Sequence, residues 1–178
     1  MILAEESQGA PPPVRIIVTG GTFDKRYDEI EGTLTFHNTH LPDILRQVRI
    51  GFPVEVETNQ MIDSLYMTAD DRLRILDACQ RAPESLLVVT HGTDTIVETA
   101  RLLGEAQLPK TIVLTGAMVP FTVYGSDSLF NLGSSMSAVQ LLPPGVYVAM
   151  NGRIFTWDNV RKNRQRGQFE TLDTPSSE

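Results

Sequence analysis

Short apolar segments alternate with segments of helical periodicity along most of this chain, and this alternation constrains the fold more than any other feature. The apolar segments are rich in β-branched residues and are bounded by glycine or polar residues. They read VRIIVT, VEVETN, LLVVTH, TIVLTG and VYVAM. Helical periodicity lies between them, at about 41–50, 69–82, 94–105 and 126–142. Because strands that are apolar on both faces are covered by helices on both sides, we predict a three-layer, doubly wound α/β fold with a mostly parallel sheet.

The length of the chain favours one domain of the Rossmann or flavodoxin-like kind. The chain has 178 residues, of which 41% are hydrophobic and 21% charged, as in ordinary globular domains. Prolines occupy 11–13 and a polar sequence, TLDTPSSE, closes the chain. We therefore place the domain at residues 14–166 and predict flexible segments at 1–13 and 167–178.

Charge and cysteine content argue against several classes of protein. The formal net charge of −7 disfavours nucleic acid or an anionic membrane as a partner. A short basic run contains Arg161, Lys162, Arg164 and Arg166. We interpret this run as a solvated face. The single cysteine, Cys79, cannot form an intrachain disulfide and is predicted to lie in the core.

Targeting and metal-binding signals are absent from the sequence pattern. No apolar run approaches the roughly 20 residues of a membrane span, and the first residues do not read as a signal peptide. The three histidines do not cluster with cysteines or carboxylates at zinc-like spacing. We therefore predict a cytoplasmic protein without a metal site.

Polar or glycine-rich sequences follow every predicted strand. They are TGGT, TNQMIDSLYMT, THGTDT, TGAMVPF and MNGR, in chain order. In open α/β sheets, ligands bind outside the carboxyl ends of the strands. The candidate site is therefore expected where these five sequences meet.

The TGGT sequence places Thr22 on a sharp corner. Gly20 and Gly21 permit positive φ and a close backbone approach, so the Thr22 hydroxyl can be presented beside free N–H groups. This arrangement suits a nucleophile or an anion cradle, whereas the alternative is an ordinary strand-to-loop turn. The sequence fits neither the P-loop nor the dinucleotide-binding pattern.

The THGTDT sequence concentrates polar side chains at the start of a predicted helix. Thr93 or Asp94 can cap that helix, and the helix N-terminus offers N–H donors to an anion. A cap explains one of these residues but not His91, Thr93, Asp94 and Thr95 together, so we favour a site. His91 itself is interpreted as a structural residue that orients the loop or packs below it.

Taken in order, these motifs resemble those of the L-asparaginase family of bacterial-type threonine amidohydrolases. TGGT, DSLYMT, HGTDT and TGAM with FN follow the first four strands in turn, so the resemblance covers about residues 14–166. It implies a single domain similar to the family's N-terminal domain. It also implies that the chain stops before the C-terminal domain that, in full-length members, completes the neighbour's active site.

The resemblance assigns a role to each matching position. Thr22 corresponds to the nucleophilic threonine, and Tyr27 to the mobile-loop tyrosine that activates it. Ser64 corresponds to the serine that binds the α-carboxylate of the substrate. Thr93 corresponds to the second catalytic threonine, and Asp94 to the aspartate that holds the α-ammonium. The predicted substrate-binding residues are Gly21, Ser64, Gly92, Thr93 and Asp94.

The resemblance also implies a lysine that completes a Thr–Asp–Lys group. We expect that lysine on the fourth helix, but its sequence, NLGSSMSAVQLLPPG, contains none. Lys25 and Lys162 are the candidates that remain within reach. Lys162, which follows the fifth strand, is preferred.

These assignments imply hydrolysis of L-asparagine to L-aspartate and ammonia without a cofactor. Thr22 would attack the side-chain amide, and backbone N–H groups near Gly21 and Thr93 would stabilise the oxyanion of an acyl-enzyme route. L-Glutamine would be the poorer substrate, because its extra methylene shifts the amide past the nucleophile.

The missing second domain implies a partner, because that domain normally closes the pocket against water. We predict a homo-oligomer, a dimer or tetramer, that associates through the strand-end face and the PFTVYGSDS region. Two other functions remain open. One is an amino-acid-binding regulatory module that has lost turnover, and the other is the glutamine-hydrolysing component of a transfer-RNA amidotransferase.

Overall fold

The computed structural model describes residues 11–173 and contains the predicted alternation of strands and helices. The strands are β1 (Val14–Gly20), β2 (Lys25–Asp28), β3 (Thr33–Phe36), β4 (Val54–Ile62), β5 (Leu86–Thr90), β6 (Thr111–Thr115), β7 (Gly145–Met150), β8 (Arg153–Thr156), β9 (Arg161–Asn163) and β10 (Gln168–Glu170). The helices are α1 (Leu41–Gln47), α2 (Ala69–Arg81), α3 (Ile96–Glu105) and α4 (Ser128–Leu141). Within the described range, none of the helices has the length and apolar character required to span a membrane.

One six-stranded sheet has the order β4-β1-β5-β6-β7-β8. All neighbouring strands are parallel except β8, which pairs antiparallel with β7. Counted along the chain, the parallel strands follow the flavodoxin-like order, 2-1-3-4-5. This order confirms the predicted fold class. It also places the topological switch point between β1 and β5, where the loops that contain Thr22 and Thr93 both begin.

Helices cover both faces of the sheet, and the two faces have separate cores. On β1, Val14, Ile16 and Val18 belong to the core shared with α1 and α4, whereas Ile17 belongs to the core shared with α2 and α3. Successive strand residues point to opposite faces, so an unbroken apolar strand supplies both cores. Cys79 lies in the second core, where burial raises the pKa of its thiol to about 12, which confirms the predicted core position.

A two-residue turn follows β7. Asn151 and Gly152 have φ values of 55° and 73°, as in the tight turns that join antiparallel strands. The MNGR sequence is therefore a hairpin turn into β8, and this strand extends the sheet beyond the five predicted strands.

The end of the described chain differs from the predicted flexible tail at 167–178. Residues 168–170 form β10, which pairs antiparallel with β9, and the Phe169 side chain is only 2% exposed. The tail prediction is wrong at these positions, because β10 is anchored by a buried aromatic ring and by an ion pair between Arg161 and Glu170 at 2.9 Å. Residues 1–10 and 174–178 of the two predicted flexible segments lie outside the described residues.

Candidate active site

The loop after β1 brings Thr22 to the switch point. Gly21 has a φ of 82°, and a Cβ atom built on it would lie 2.4 Å from the backbone nitrogen of Gly92. Only glycine permits this approach between the loops that follow β1 and β5. Thr22 is half-buried and starts a short 3₁₀ turn that ends at Asp24, whose N–H donates to the Gly21 carbonyl at 3.2 Å.

Ser64 lies on the other side of Gly92. A Cβ atom built on Gly92 would lie 2.4 Å from Ser64 Oγ, and Thr95 Oγ1 donates to the Ser64 carbonyl at 2.9 Å. Ser64 is 1% exposed, and within the described residues its Oγ has no hydrogen-bond partner. The loops after β1, β4 and β5 therefore meet around Gly92, and they bring the Thr22, Ser64 and Thr93 segments together.

This packing predicts that Gly92→Ala is destabilising. The added methyl group would be 2.4 Å from Ser64 Oγ and 3.1 Å from the Ser64 backbone nitrogen, so the loops would have to separate. We expect the free energy of unfolding to fall by about 1–3 kcal/mol, as in other overpacked sites. Urea unfolding followed by circular dichroism measures the change.

Gly133→Ala is the matched control for this substitution. Gly133 lies within α4, and a Cβ atom there would meet no heavy atom within 4 Å. Alanine at such a helical position is expected to stabilise the protein by about 0.5–1 kcal/mol. The packing argument would be contradicted if the Gly92→Ala and Gly133→Ala proteins unfolded at the same urea concentration.

One hydrogen-bonded group, called the Thr93 group below, consists of Thr93, Asp94 and Lys162. Lys162 Nζ donates to Thr93 Oγ1 at 2.8 Å and to Asp94 Oδ1 at 2.9 Å. The Lys162 side chain is only 10% exposed, so the interpretation of the basic run as a solvated face is wrong at this residue. An amine held between a hydroxyl and a carboxylate can exchange a proton with that hydroxyl.

The hairpin of β9 and β10 positions Lys162. Lys162 pairs with Phe169, and its two neighbours in β9, Arg161 and Asn163, both donate to the carboxylate of Glu170. Alternate residues of a strand point in opposite directions. Because Arg161 and Asn163 point towards Glu170, the Lys162 side chain points the other way, to the loop after β5.

Thr93 and Asp94 do not cap α3. The residue that precedes the helix is Thr95, which makes no side-chain capping hydrogen bond. The capping interpretation is therefore wrong, because the Thr93 and Asp94 side chains accept hydrogen bonds from Lys162 instead.

Arg164, which the sequence pattern does not single out as a functional residue, also lies near Asp94. Its Nη1 lies 3.7 Å from Asp94 Oδ1, whereas the sequence pattern indicates only a solvated basic run. The available signal was proximity along the chain: Arg164 is two residues from Lys162, in the turn that follows β9.

Two other candidates, Lys25 and Tyr27, lie on the hairpin of β2 and β3. Lys25 forms an ion pair with Asp63 and lies 5.6 Å from the centre of the Phe36 ring, so it does not join the Thr93 group. Tyr27 is 61% exposed and lines a cavity of about 380 Å³ beside the hairpin. Among the described residues, no hydrogen bond joins Tyr27 to Thr22, and the predicted activation of Thr22 by Tyr27 stays a prediction.

His91 supports the loop after β5 from the interior. Its Nδ1 lies 2.8 Å from the Gly92 carbonyl oxygen and its Nε2 lies 2.8 Å from Thr99 Oγ1. A carbonyl only accepts, so Nδ1 carries the proton and Nε2 accepts from Thr99. Burial lowers the pKa of His91 to about 4. The ring is therefore neutral near pH 7, in agreement with the predicted structural role.

This buried histidine predicts a loss of stability in acid. Unfolded His91 titrates near 6.5 but the folded residue near 4, so the unfolded chain binds more protons between these values. The contribution of His91 is complete above about pH 6.5 and is lost as the pH falls towards 4. Between pH 7.5 and 4.5, the wild type should lose about 2–3 kcal/mol more unfolding free energy than His91→Gln, as urea titrations would show.

Asp24 has the opposite effect on how folding stability changes with pH, and it is present in both the wild type and His91→Gln. Its buried Oδ1 accepts from Thr39 Oγ1 at 2.9 Å and from the His40 N–H at 3.0 Å, which ties the Thr22 turn to the start of α1. Burial raises the pKa of Asp24, so its contribution to folding stability is lost as the pH rises through that pKa.

Equal pH dependence of the unfolding free energy in the wild type and His91→Gln would contradict the assignment of the acid effect to His91.

The described residues do not contain a cluster of three or more His, Cys, Asp or Glu side chains that could hold a metal ion.

Comparison with known proteins matches a family model to most of this chain. The model described as "Asparaginase, N-terminal" matches residues 13–177. The L-asparaginase of Thermococcus kodakarensis is 30% identical over 131 residues, which cover 70% of this chain and 40% of that protein. A component of the glutamyl-tRNA(Gln) amidotransferase of Aeropyrum pernix is 32% identical over 164 residues, which cover 85% of this chain and 38% of that protein.

A solved L-asparaginase structure is also similar to this chain. The thermostable L-asparaginase from Thermococcus kodakarensis superposes with a TM-score of 0.81 at 29% identity, and the match covers 92% of this chain and 52% of that one. The chain therefore spans about half of that structure and less than half of the two relatives named above.

Proposed function

The chain belongs to the asparaginase family, whose N-terminal model matches residues 13–177, and on that premise we propose that it hydrolyses L-asparagine to L-aspartate and ammonia. The observation that carries the proposal is the contact of Lys162 with Thr93 and Asp94, next to the loop of Thr22. This arrangement places hydroxyl, amine and carboxylate groups at the switch point, where this fold binds ligands.

The proposed reaction starts at Thr22. Its oxygen attacks the carbon of the side-chain amide, a C–O bond forms, and the carbonyl electrons move to the oxygen, where backbone N–H groups near Gly21 and Thr93 stabilise the charge. The C–N bond then breaks, and the nitrogen leaves as ammonia after accepting a proton. Water attacks the resulting ester, which releases L-aspartate and restores the Thr22 hydroxyl.

The proposed proton transfers depend on the Thr93 group. Lys162 is within hydrogen-bond distance of the Thr93 hydroxyl, so as the neutral amine it can take the Thr93 proton while Thr93 takes the proton of the attacking hydroxyl or water, and the ammonium so formed can return a proton to the departing nitrogen. Activation of Thr22 by Tyr27 remains a prediction from the family resemblance alone.

Substrate binding is proposed for the residues that surround Gly92. Ser64 Oγ is buried without a partner among the described residues, and an α-carboxylate would satisfy it. Asp94 Oδ1 is bonded to Lys162, which leaves Oδ2 for the α-ammonium of the substrate. The glycine backbone at Gly21 and Gly92 allows the ligand to approach the loops closely.

Ammonia release tests this function directly. Purified protein should release ammonia from L-asparagine in a coupled assay, with the Thr22→Ala protein as the blank. The regulatory-module alternative predicts no turnover but an increase in melting temperature when L-aspartate or L-asparagine is added. Thermal stabilisation without turnover would therefore replace the enzyme proposal with the regulatory one.

A glutamine-dependent function is the second candidate, because the amidotransferase component from Aeropyrum pernix matches 85% of this chain. The same assay with L-glutamine separates the two. We expect kcat/KM for L-asparagine to exceed that for L-glutamine by about 10–200-fold, the usual value of one methylene. The reverse preference would favour the amidotransferase-type reaction.

Self-association and a cytoplasmic location also remain proposals. In the region predicted to take part, Val123 and Tyr124 are exposed, and an aromatic side chain in that position suits a subunit contact. Light scattering coupled to size-exclusion chromatography would distinguish a monomer from a dimer or tetramer, and cell fractionation would test the location.

A further inference from the structure

Two cations of the β9–β10 hairpin lie beside the same carboxylate oxygen. Lys162 Nζ is 2.9 Å from Asp94 Oδ1, and Arg164 Nη1 is 3.7 Å from it. The Lys162 side chain is 10% exposed, whereas that of Arg164 is 65% exposed. Lys162 is therefore the inner cation, and Arg164 lies at the solvent-facing rim of the candidate site.

The hairpin holds Arg164 in this place. Arg164 follows the last residue of β9, and the turn after it is closed by a hydrogen bond from the Arg166 N–H to Asn163 Oδ1 at 3.2 Å. Gly167, with a φ of 62°, leads the chain back into β10. Lys162 leaves β9 on the side of Asp94, and the Arg164 side chain returns from the turn to the same carboxylate oxygen.

A contribution to folding stability does not explain why Arg164 lies beside Asp94. An ion pair at such exposure contributes little to folding, and the Asp94 carboxylate already accepts a hydrogen bond from Lys162. The other nearby cations have closer anionic partners, since Lys25 is paired with Asp63 and Lys162 with Asp94. Arg164 therefore retains most of its capacity to bind a further anion.

On the proposed function above, we infer that Arg164 is a specificity-determining residue that binds the α-carboxylate of the substrate. If Asp94 holds the α-ammonium, the α-carboxylate is attached to the same carbon and lies beside that carboxylate. A guanidinium at the rim can reach it with two parallel hydrogen bonds. Ser64 would supply a neutral contact from the buried side, and Arg164 would supply the charge that selects α-amino acids over uncharged amides.

Titration calorimetry with L-aspartate tests the inference without turnover. Arg164→Gln should bind L-aspartate about fivefold more weakly than the wild type, an effect moderate for a charged hydrogen bond because the site is exposed. Arg164→Lys should recover part of the affinity. Arg166→Gln, the matched control in the same turn, should bind within about twofold of the wild type, because Arg166 makes no ion pair to Asp94 among the described residues.

Steady-state kinetics provide a second test, because a purely structural role of Arg164 would not distinguish substrates with and without an α-carboxylate. Arg164→Gln should raise KM for L-asparagine about fivefold with kcat unchanged, and it should leave KM unchanged for the diamide of L-aspartic acid, which lacks the α-carboxylate. An equal effect on both substrates would overturn the inference. Tighter binding of L-aspartate by Arg164→Gln would also overturn it, because Arg164 would then compete with the substrate for Asp94.

These outcomes are separable from a failure of the proposed function. A wild-type protein that releases no ammonia from L-asparagine would refute the enzyme proposal, while the calorimetry with L-aspartate would still decide the role of Arg164. Conversely, an active wild type together with an Arg164→Gln protein of unchanged affinity would refute only the inference about Arg164.

Discussion

Replacing Thr22 with alanine should lower asparagine-dependent ammonia release by about 10⁴-fold, because the proposed acyl-enzyme cannot form without the hydroxyl oxygen. Thr22 occupies a half-buried corner and follows Gly21, the residue that packs against Gly92, so removal of one hydroxyl and one methyl from Thr22 leaves the loop packing in place. The loss should therefore be in kcat. A coupled ammonia assay at saturating L-asparagine measures it, with enough protein to detect the residual rate.

Two further measurements show whether the loss is chemical. Thr22→Ser keeps a hydroxyl group and should retain measurable activity, while Thr22→Ala should bind L-aspartate and unfold in urea like the wild type. A Thr22→Ala protein with more than about one tenth of the wild-type rate would remove the nucleophile from the mechanism, since nucleophile losses are much larger.

Lys162→Met is expected to have the second-largest effect, a fall in kcat of about 10²–10⁴-fold. Methionine keeps the lysine chain as far as Cε and its apolar packing but removes the amine that donates to Thr93 Oγ1 and Asp94 Oδ1. The proposed proton transfer would then have no acceptor, and Asp94 would lose its closest cation. Steady-state kinetics with L-asparagine measure the change.

Lys25→Met is the matched control, because Lys25 was the rival candidate for this role. Lys25 is paired with Asp63 and not with the Thr93 group, so its loss should change kcat by less than about tenfold. If Lys25→Met impaired turnover as strongly as Lys162→Met, the assignment of the amine would be wrong. If neither variant lost activity, the reaction would need no lysine.

The central strands and their order along the chain were predictable because each is an uninterrupted apolar segment between polar or glycine-rich ends. Ile16 and Ile17 show why: adjacent residues of β1 are both fully buried, but on opposite faces. A helix-covered sheet is the arrangement that accommodates this pattern. The small hairpins escaped prediction because β9 and β10 have three residues each, too few to show a period.

The site was predictable where it depends on topology and not where it depends on tertiary contacts. Thr22 and Thr93 follow neighbouring parallel strands, so their proximity could be expected from strand order. The hydrogen bond from Lys162 to Thr93 spans 69 residues and depends on the register of β9 with β10. Tyr27 was assigned by resemblance alone, and local sequence carries no information on how the hairpin of β2 and β3 is oriented.

The position of the β9–β10 hairpin along the chain has a consequence for synthesis on the ribosome. All six strands of the sheet precede Arg161, so the segments containing Thr22 and Thr93 are translated well before the amine that contacts them. A messenger RNA with a stop codon at one of positions 157–160 would encode all six strands of the sheet but not the lysine that carries that amine. Such a product could satisfy a test for secondary structure and still lack the contacts of Lys162 with Thr93 and Asp94, so secondary structure alone does not report whether this group of side chains has formed.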